Sequence, residues 1–261
     1  MSREQVEERT GINQGTLYRL ETARARPQRR TLMALMDLYG ADDQLRADLL
    51  AISRSADDQG WLQPYQSTLP EAYTAYISFE AEAQSVRNYE SLLIPGLLQT
   101  EDYARAVVTG GLPTASDDEV DQRVRARMER QRLLDREDPL EFWAVVDEAA
   151  LRRVVGGHRI MRAQAAHLVD VARRPNVTVQ IIPFEAGAHP GMPGSFSHLE
   201  FGDPLDPELV HIDTMAGDLF LEAEADIRRY RSMFDHLRAI ALSPSKTASL
   251  LTSIAASMKG G

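Results

Sequence analysis

Cysteine is absent from the 261 residues, which excludes disulfides, a thiol nucleophile and thiolate metal ligation. Lysine is nearly absent as well: Lys246 and Lys259 are the only two, a bias of composition to which no function is attached. No stretch is long and apolar enough to cross a membrane. The opening MSREQVEERT has no apolar core of the kind a signal peptide needs, so a cytoplasmic location without membrane contact is expected. No HExxH, GxSxG or P-loop pattern occurs. The expectation is therefore a protein that is not an enzyme, needs no cofactor and holds no metal.

What is present is an ordinary globular composition with an uneven charge. Hydrophobic residues make up 43% and charged residues 26%. The net charge is -10, yet residues 1–36 carry seven arginines against four glutamates, +3, which leaves -13 for the remainder. Five of those arginines fall between Arg19 and Arg30, opposed there by Glu21 alone. A locally basic segment on an acidic chain is attracted to phosphate while the rest resists non-specific adhesion to DNA.

The first 59 residues read as short helices. Ser2 and Gln5 form a capping box, and Gly11 ends the helix they open. Asn13 caps a second helix from about Gln14 to Ala23, with Leu17 and Leu20 inward. A third carries Leu32, Leu35, Met36 and Tyr39 at i, i+3, i+4 and i+7. A fourth, opened by Asp42, turns Leu45, Leu49 and Ile52 inward. The pattern fades at Asp57–Gly60, and residues 60–70 read as a link whose Trp61 and Tyr65 pin it to a second domain at 71–257. There, 71–98 is ambiguous between helix and strand. Helices are expected after Thr100, after Ser116, over 158–173, around Ile227–Leu237 and after Ser243. Strands are expected at Phe142–Val146, Val177–Ile182, Phe196–Phe201, Leu209–Ile212 and Leu219–Leu221. Val177–Ile182 ("VTVQII") reads as the central strand. The fold class is α+β: a small all-α helix-turn-helix head followed by a larger mixed α/β domain.

Two short helices joined by a glycine turn are a helix-turn-helix candidate. The exposed start of the second helix would read a major groove. Gln14 can pair with an adenine edge and Arg19 can reach guanine or phosphate. Thr16 offers a methyl or a hydroxyl, and Gly15 permits close approach. Arg24, Arg26 and Arg29 lie where phosphate contacts are expected.

The run TGINQGTLYRLETARARP (10–27), with Ser2 ahead of it, resembles the XRE family, repressors related to phage lambda repressor and Cro. The resemblance implies that Gln14, Gly15, Tyr18 and Arg19 sit near bases and that Asn13, Arg24 and Arg26 sit near the backbone of double-stranded DNA. It also implies a homodimer. Departures are Glu7, where the family has a buried alanine, Ala23 in place of a glycine, and a family helix ahead of Ser2; the head is accordingly read as lacking its first helix. The phrases YESLLIPGLLQTEDYARAV (89–107), RVRARMERQRLL (123–134), FWAVVDEAALRRVVGG (142–157), NVTVQIIPFEAGAHPGMPGSF (176–196) and YRSMFDHLRAIALSP (230–244) resemble the uncharacterised C-terminal domain that follows such heads in actinobacterial regulators. That likeness implies transcriptional regulation, with some members antitoxin-like and encoded beside a small partner protein.

The body's residues are weighed on their own chemistry. Pro190 and Pro193 remove donors from the 187–194 glycine loop, so it reads as a strand connection, ordinary or rimming a pocket, and not as a phosphate cradle. His158, His167, His189, His198 and His211 lack metal-site spacing and read as structural or surface groups. Asp147 and Glu148 read as a helix cap. Phe79, Tyr89, Tyr103, Phe142 and Trp143 read as core. The leading expectation is a DNA-binding regulator whose second domain senses a small molecule or a small protein. The alternatives are an antitoxin-like interaction module, and an enzyme with a DNA-binding head using Asp147, Glu148 and His189.

Overall fold

The computed structural model describes residues 1–21, 29–42, 44–46, 48–49, 65, 69–202, 208–214 and 217–258. The chain divides into two compact units, Met1–Gly60 and Trp61–Gly261. Arg24, Arg26, Ile52 and Trp61, and the side chain of Arg19, lie outside the described residues.

In the first unit α1 (Arg3–Thr10) packs on α2 (Gln14–Glu21) and α3 (Arg29–Tyr39). One apolar residue from each helix, Val6, Leu17 and Met36, is buried. The inward pattern is shorter than its periodicity suggests: Tyr39 is 61% exposed and Leu45 is also exposed. Tyr39 is the last residue of α3, and Gly40 turns the chain away beside it with φ 67°. Asp42 does cap, its Oδ1 accepting from the Leu45 N–H.

In the second unit α4 (Glu71–Glu82) runs directly into β1 (Ala83–Glu90). α5 (Glu101–Gly111) and α6 (Asp117–Arg130) lead to β2 (Glu141–Asp147). α7 (Glu148–Arg152) and α8 (His158–Val171) lead to β3 (Val177–Ile182). A meander of β4 (Phe196–Phe201), β5 (Leu209–Thr214) and β6 (Gly217–Leu221) precedes α9 (Glu224–Ile240) and α10 (Pro244–Ser257). The described strands form one sheet in the order β3-β2-β1-β4-β5-β6. β1, β2 and β3 are parallel, whereas β4 to β6 pair antiparallel.

Alternation along the strands splits the core in two. Val86, Ala144, Val146 and Val179 face α8 and α10, joined by Tyr103 and Phe142 and with Phe79 against them. Tyr89, Val145, Phe196 and Val210 face α9, whose Ile227, Phe234 and Leu237 are buried there beside Trp143. Of the five aromatics read as core, Tyr89, Tyr103 and Phe142 are buried, and Phe79 and Trp143 are half-buried against the core; they divide between the two faces. Tyr65 packs against the first core.

β3 lies at one edge of the sheet and not at its centre. Its β-branched, largely buried pattern, interrupted by Thr178 and the buried Gln180, arises because helices cover both its faces. The segment after α9 closes its open edge as well: the Leu242 N–H donates to the Ile181 carbonyl at 2.8 Å, and Thr247 Oγ1 accepts from the Ile181 N–H at 3.3 Å. No described helix is long and apolar enough to cross a membrane.

Candidate functional site

The helix pair of the head is built by local chemistry. Ser2 Oγ accepts from the Gln5 N–H while Gln5 Oε1 accepts from the Ser2 N–H. Gly11 ends α1 at φ 70°, a conformation that costs glycine nothing. Asn13 Oδ1 then accepts from the Thr16 N–H at 2.8 Å, which fixes the start of α2. Asn13, Gln14, Gly15 and Tyr18 are exposed, Thr16 is half-buried, and Leu17 points inward. The Arg3 guanidinium lies 5.0 Å from the centre of the Tyr18 ring and pairs with Glu21. Gln14 is held by a neighbour that sequence reasoning noticed but could not place: its Nε2 donates to Glu7 Oε2 at 2.8 Å.

The body contains a polar cavity of about 140 Å3 at the carboxyl end of β1, where pairing changes from parallel to antiparallel. Register sets Asn88, Ser197 and His211 side by side on β1, β4 and β5. Arg130 and Glu80 form one wall, with side chains 5% and 1% exposed. They meet through two parallel bonds of 2.9 and 2.8 Å. Arg130 also donates to the Tyr73 hydroxyl and lies over the Tyr73 and Tyr76 rings. A pair this dry contributes little net stability, but removing either partner costs about 3–5 kcal/mol by stranding the other. Burial and the neighbouring Glu80 carboxylate push the Tyr76 hydroxyl well up. His211 stacks on Tyr76 at 4.1 Å and bonds Asp218 at 2.6 Å.

Two groups in this cavity are not at rest. Burial raises the Glu90 carboxyl to about 7; hydrogen bonds from Ser195 and Asn88 oppose the rise, and the Asp213 carboxylate adds to it. Asn88 donates to Ser197 Oγ at 3.0 Å, but its own Oδ1 has no partner. Sequence reasoning missed this site. A signal existed: Tyr73, Tyr76 and Glu80 share one helical stripe, and Arg127 and Arg130 stand on a helix whose Val120, Val124 and Ala126 are buried. Charged residues on an inward face are the sign that was overlooked.

Residues 1–49 match the family described as helix-turn-helix domain. Residues 73–253 match the family described as domain of unknown function, DUF5753. The chain belongs to the DUF5753 family. No curated protein and no solved structure matches it. It is thus a helix-turn-helix protein with a DUF5753 domain.

Within the DUF5753 domain the other candidates take structural positions. Asp147 Oδ1 accepts from the Ala149 N–H and caps α7, while its Oδ2 lies 3.2 Å from His189 Nε2. Glu148 accepts from the Phe184 N–H and pairs with Arg152. The 187–194 loop connects to a strand and closes over Tyr89: a Cβ on Gly191 would lie 2.5 Å from that ring. His198 and His211 do not converge. His198 pairs with Val210 and His211 with Ser197, so the two face opposite sides of the sheet. His158 is exposed, and burial together with Arg174 lowers the half-buried His167. His198, Glu200 and Glu208 bring ligand-type atoms within 4.8 Å of one another. Arg87 pairs with Glu200 and Arg231 with Glu208, so the cluster is charge-balanced without an ion.

Proposed function

We propose that this protein is a DNA-binding transcriptional regulator of the XRE type, that it acts as a homodimer, and that its DUF5753 domain responds to a small molecule or a small protein partner. The observation that carries the reading is the capped, exposed start of α2, with Gln14, Gly15 and Tyr18 outward on a segment of net +3. A dimer places two such helices about 34 Å apart, one turn of duplex.

The test is a mobility shift on the DNA upstream of the protein's own gene at low salt. Gln14→Ala and Arg19→Ala are each expected to weaken specific binding by about 1–3 kcal/mol and to relax preference at one base position. Unchanged affinity and preference in both variants would overturn the assignment. The Glu7 carboxylate beside Gln14 favours a second reading, an antitoxin-like binder of a small protein with weak DNA contact. Co-purification with the neighbouring gene's product, without any DNA shift, is its signature.

A further inference from the structure

We propose that the DUF5753 domain holds a site for a primary alkylammonium group, where the β1 cavity meets the groove beside it. The proposal deepens the effector-binding reading above and rests on it only for the link to DNA.

The first observation is Asn88. It is 6% exposed, lines the cavity, and leaves its Oδ1 unpaired. A buried carbonyl without a donor is rare in native structures and asks for one. The second is charge. Neither Glu90 nor Asp213 has an ion-pair partner among the described residues, although both line the cavity. Arg130 is neutralised by Glu80, and Asp218 is spent on His211. Arg127 therefore stands alone against two carboxylates; one of its guanidinium nitrogens donates to Gln99, and its Nε is buried without a partner among the described residues, a single free donor facing two acids. An anion entering here would meet Glu90 and Asp213. An ammonium offers three donors and no acceptor, which suits two carboxylates and one amide oxygen.

The third observation gives the ligand its tail. A second groove, about 320 Å3, shares Tyr73, Leu93, Arg127 and Asp213 with the cavity and continues along Val107 and Leu112. The groove is mainly apolar; Arg123 and Asp218 also line it, but they are paired with Glu119 and His211, so a charged head beside this channel fits a carbon chain ending in an amine. The setting agrees with the general rule for α/β sheets, in which ligands collect outside the carboxyl ends of parallel strands where the connection pattern changes.

Binding is expected to follow the ionisation of Glu90. The groups facing it are Asp213 on β5, Arg127 on α6 and Tyr103 on α5, with Asn88 on its own strand and Ser195 just before β4. The Glu80–Arg130 and His211–Asp218 pairs lie on the same cavity or its rim. Because Glu90 titrates at about 7, the site carries both carboxylates above that pH and loses one below it.

The experiment is calorimetric titration of the full chain with n-hexylammonium, hexan-1-ol and hexanoate. At pH 8 the ammonium is expected to bind at least about tenfold tighter than the alcohol, with hexanoate weakest. Its affinity should fall about tenfold by pH 6. Glu90→Gln, which resembles the protonated residue, should remove most of the affinity and flatten the pH profile. Asp213→Asn, on an exposed residue, should weaken binding with little risk to folding. Nα-acetyl-lysine N-methylamide, run alongside, separates a free amine from a partner's lysine by which ligand binds tighter. Equal binding of the alcohol or of hexanoate overturns the proposal, as does a Glu90→Gln profile like that of the parent. A chain that shifts DNA but ignores the amine sinks the ammonium site and leaves the regulator. One that binds the amine and never shifts DNA upholds the site and sinks the regulator.

Discussion

The Glu7 carboxylate stands at the start of α2, where a helix N-terminus and its outward side chains would otherwise present only donors to phosphate. It repels the same phosphates, and it holds the Gln14 amide through a 2.8 Å bond. Glu7→Ala should therefore raise DNA affinity by about 1 kcal/mol, roughly fivefold, with the larger gain at low salt. Fluorescence anisotropy against one fixed duplex checks this; an unchanged or lower affinity would overturn the inhibitory role of Glu7. The residue scale also shows what a one-dimensional reading misses. Glu80 is visible as an acid on the inward stripe of a helix, but its partner Arg130 is fifty residues away, and nothing in the spacing joins them.

At the scale of elements, caps and turns were legible because they are local. Ser2, Asn13, Asp42, Thr100, Ser116 and Ser243 each accept from the N–H three residues on, and those bonds need no tertiary partner. The placement of β3 was not legible. An apolar run reports burial on both faces, not neighbours on both edges. Its edge is guarded by Thr247, which is buried and accepts from the Ile181 N–H. Thr247→Val keeps the shape and strands that donor, so it should cost about 1–3 kcal/mol in urea unfolding. Thr247→Ser should lose distinctly less, since the hydroxyl stays. Equal losses in the two variants would mean that packing, not the bond, matters at this position. The α4–β1 junction was ambiguous for a related reason: the helix is apolar around much of its girth, and the strand begins with no loop between them.

At the scale of the whole molecule, a net charge of -10 hides a segment of +3. For the dimer proposed above, Arg24, Arg26 and Arg29 from two heads would neutralise six phosphates. Specific binding should then fall about a thousandfold between 50 and 200 mM salt; a nearly flat response would place the arginines away from the backbone. The sequence by itself determined the two-part α+β plan, the helix pair of the head and most element positions, because periodicity and capping act over a few residues. Only the tertiary structure decided that β3 lies at an edge, that the core aromatics divide between two faces, and that the acids and arginines of four separate elements enclose one cavity. Those facts depend on which strand lies beside which, and strand order is set by packing across the whole sheet.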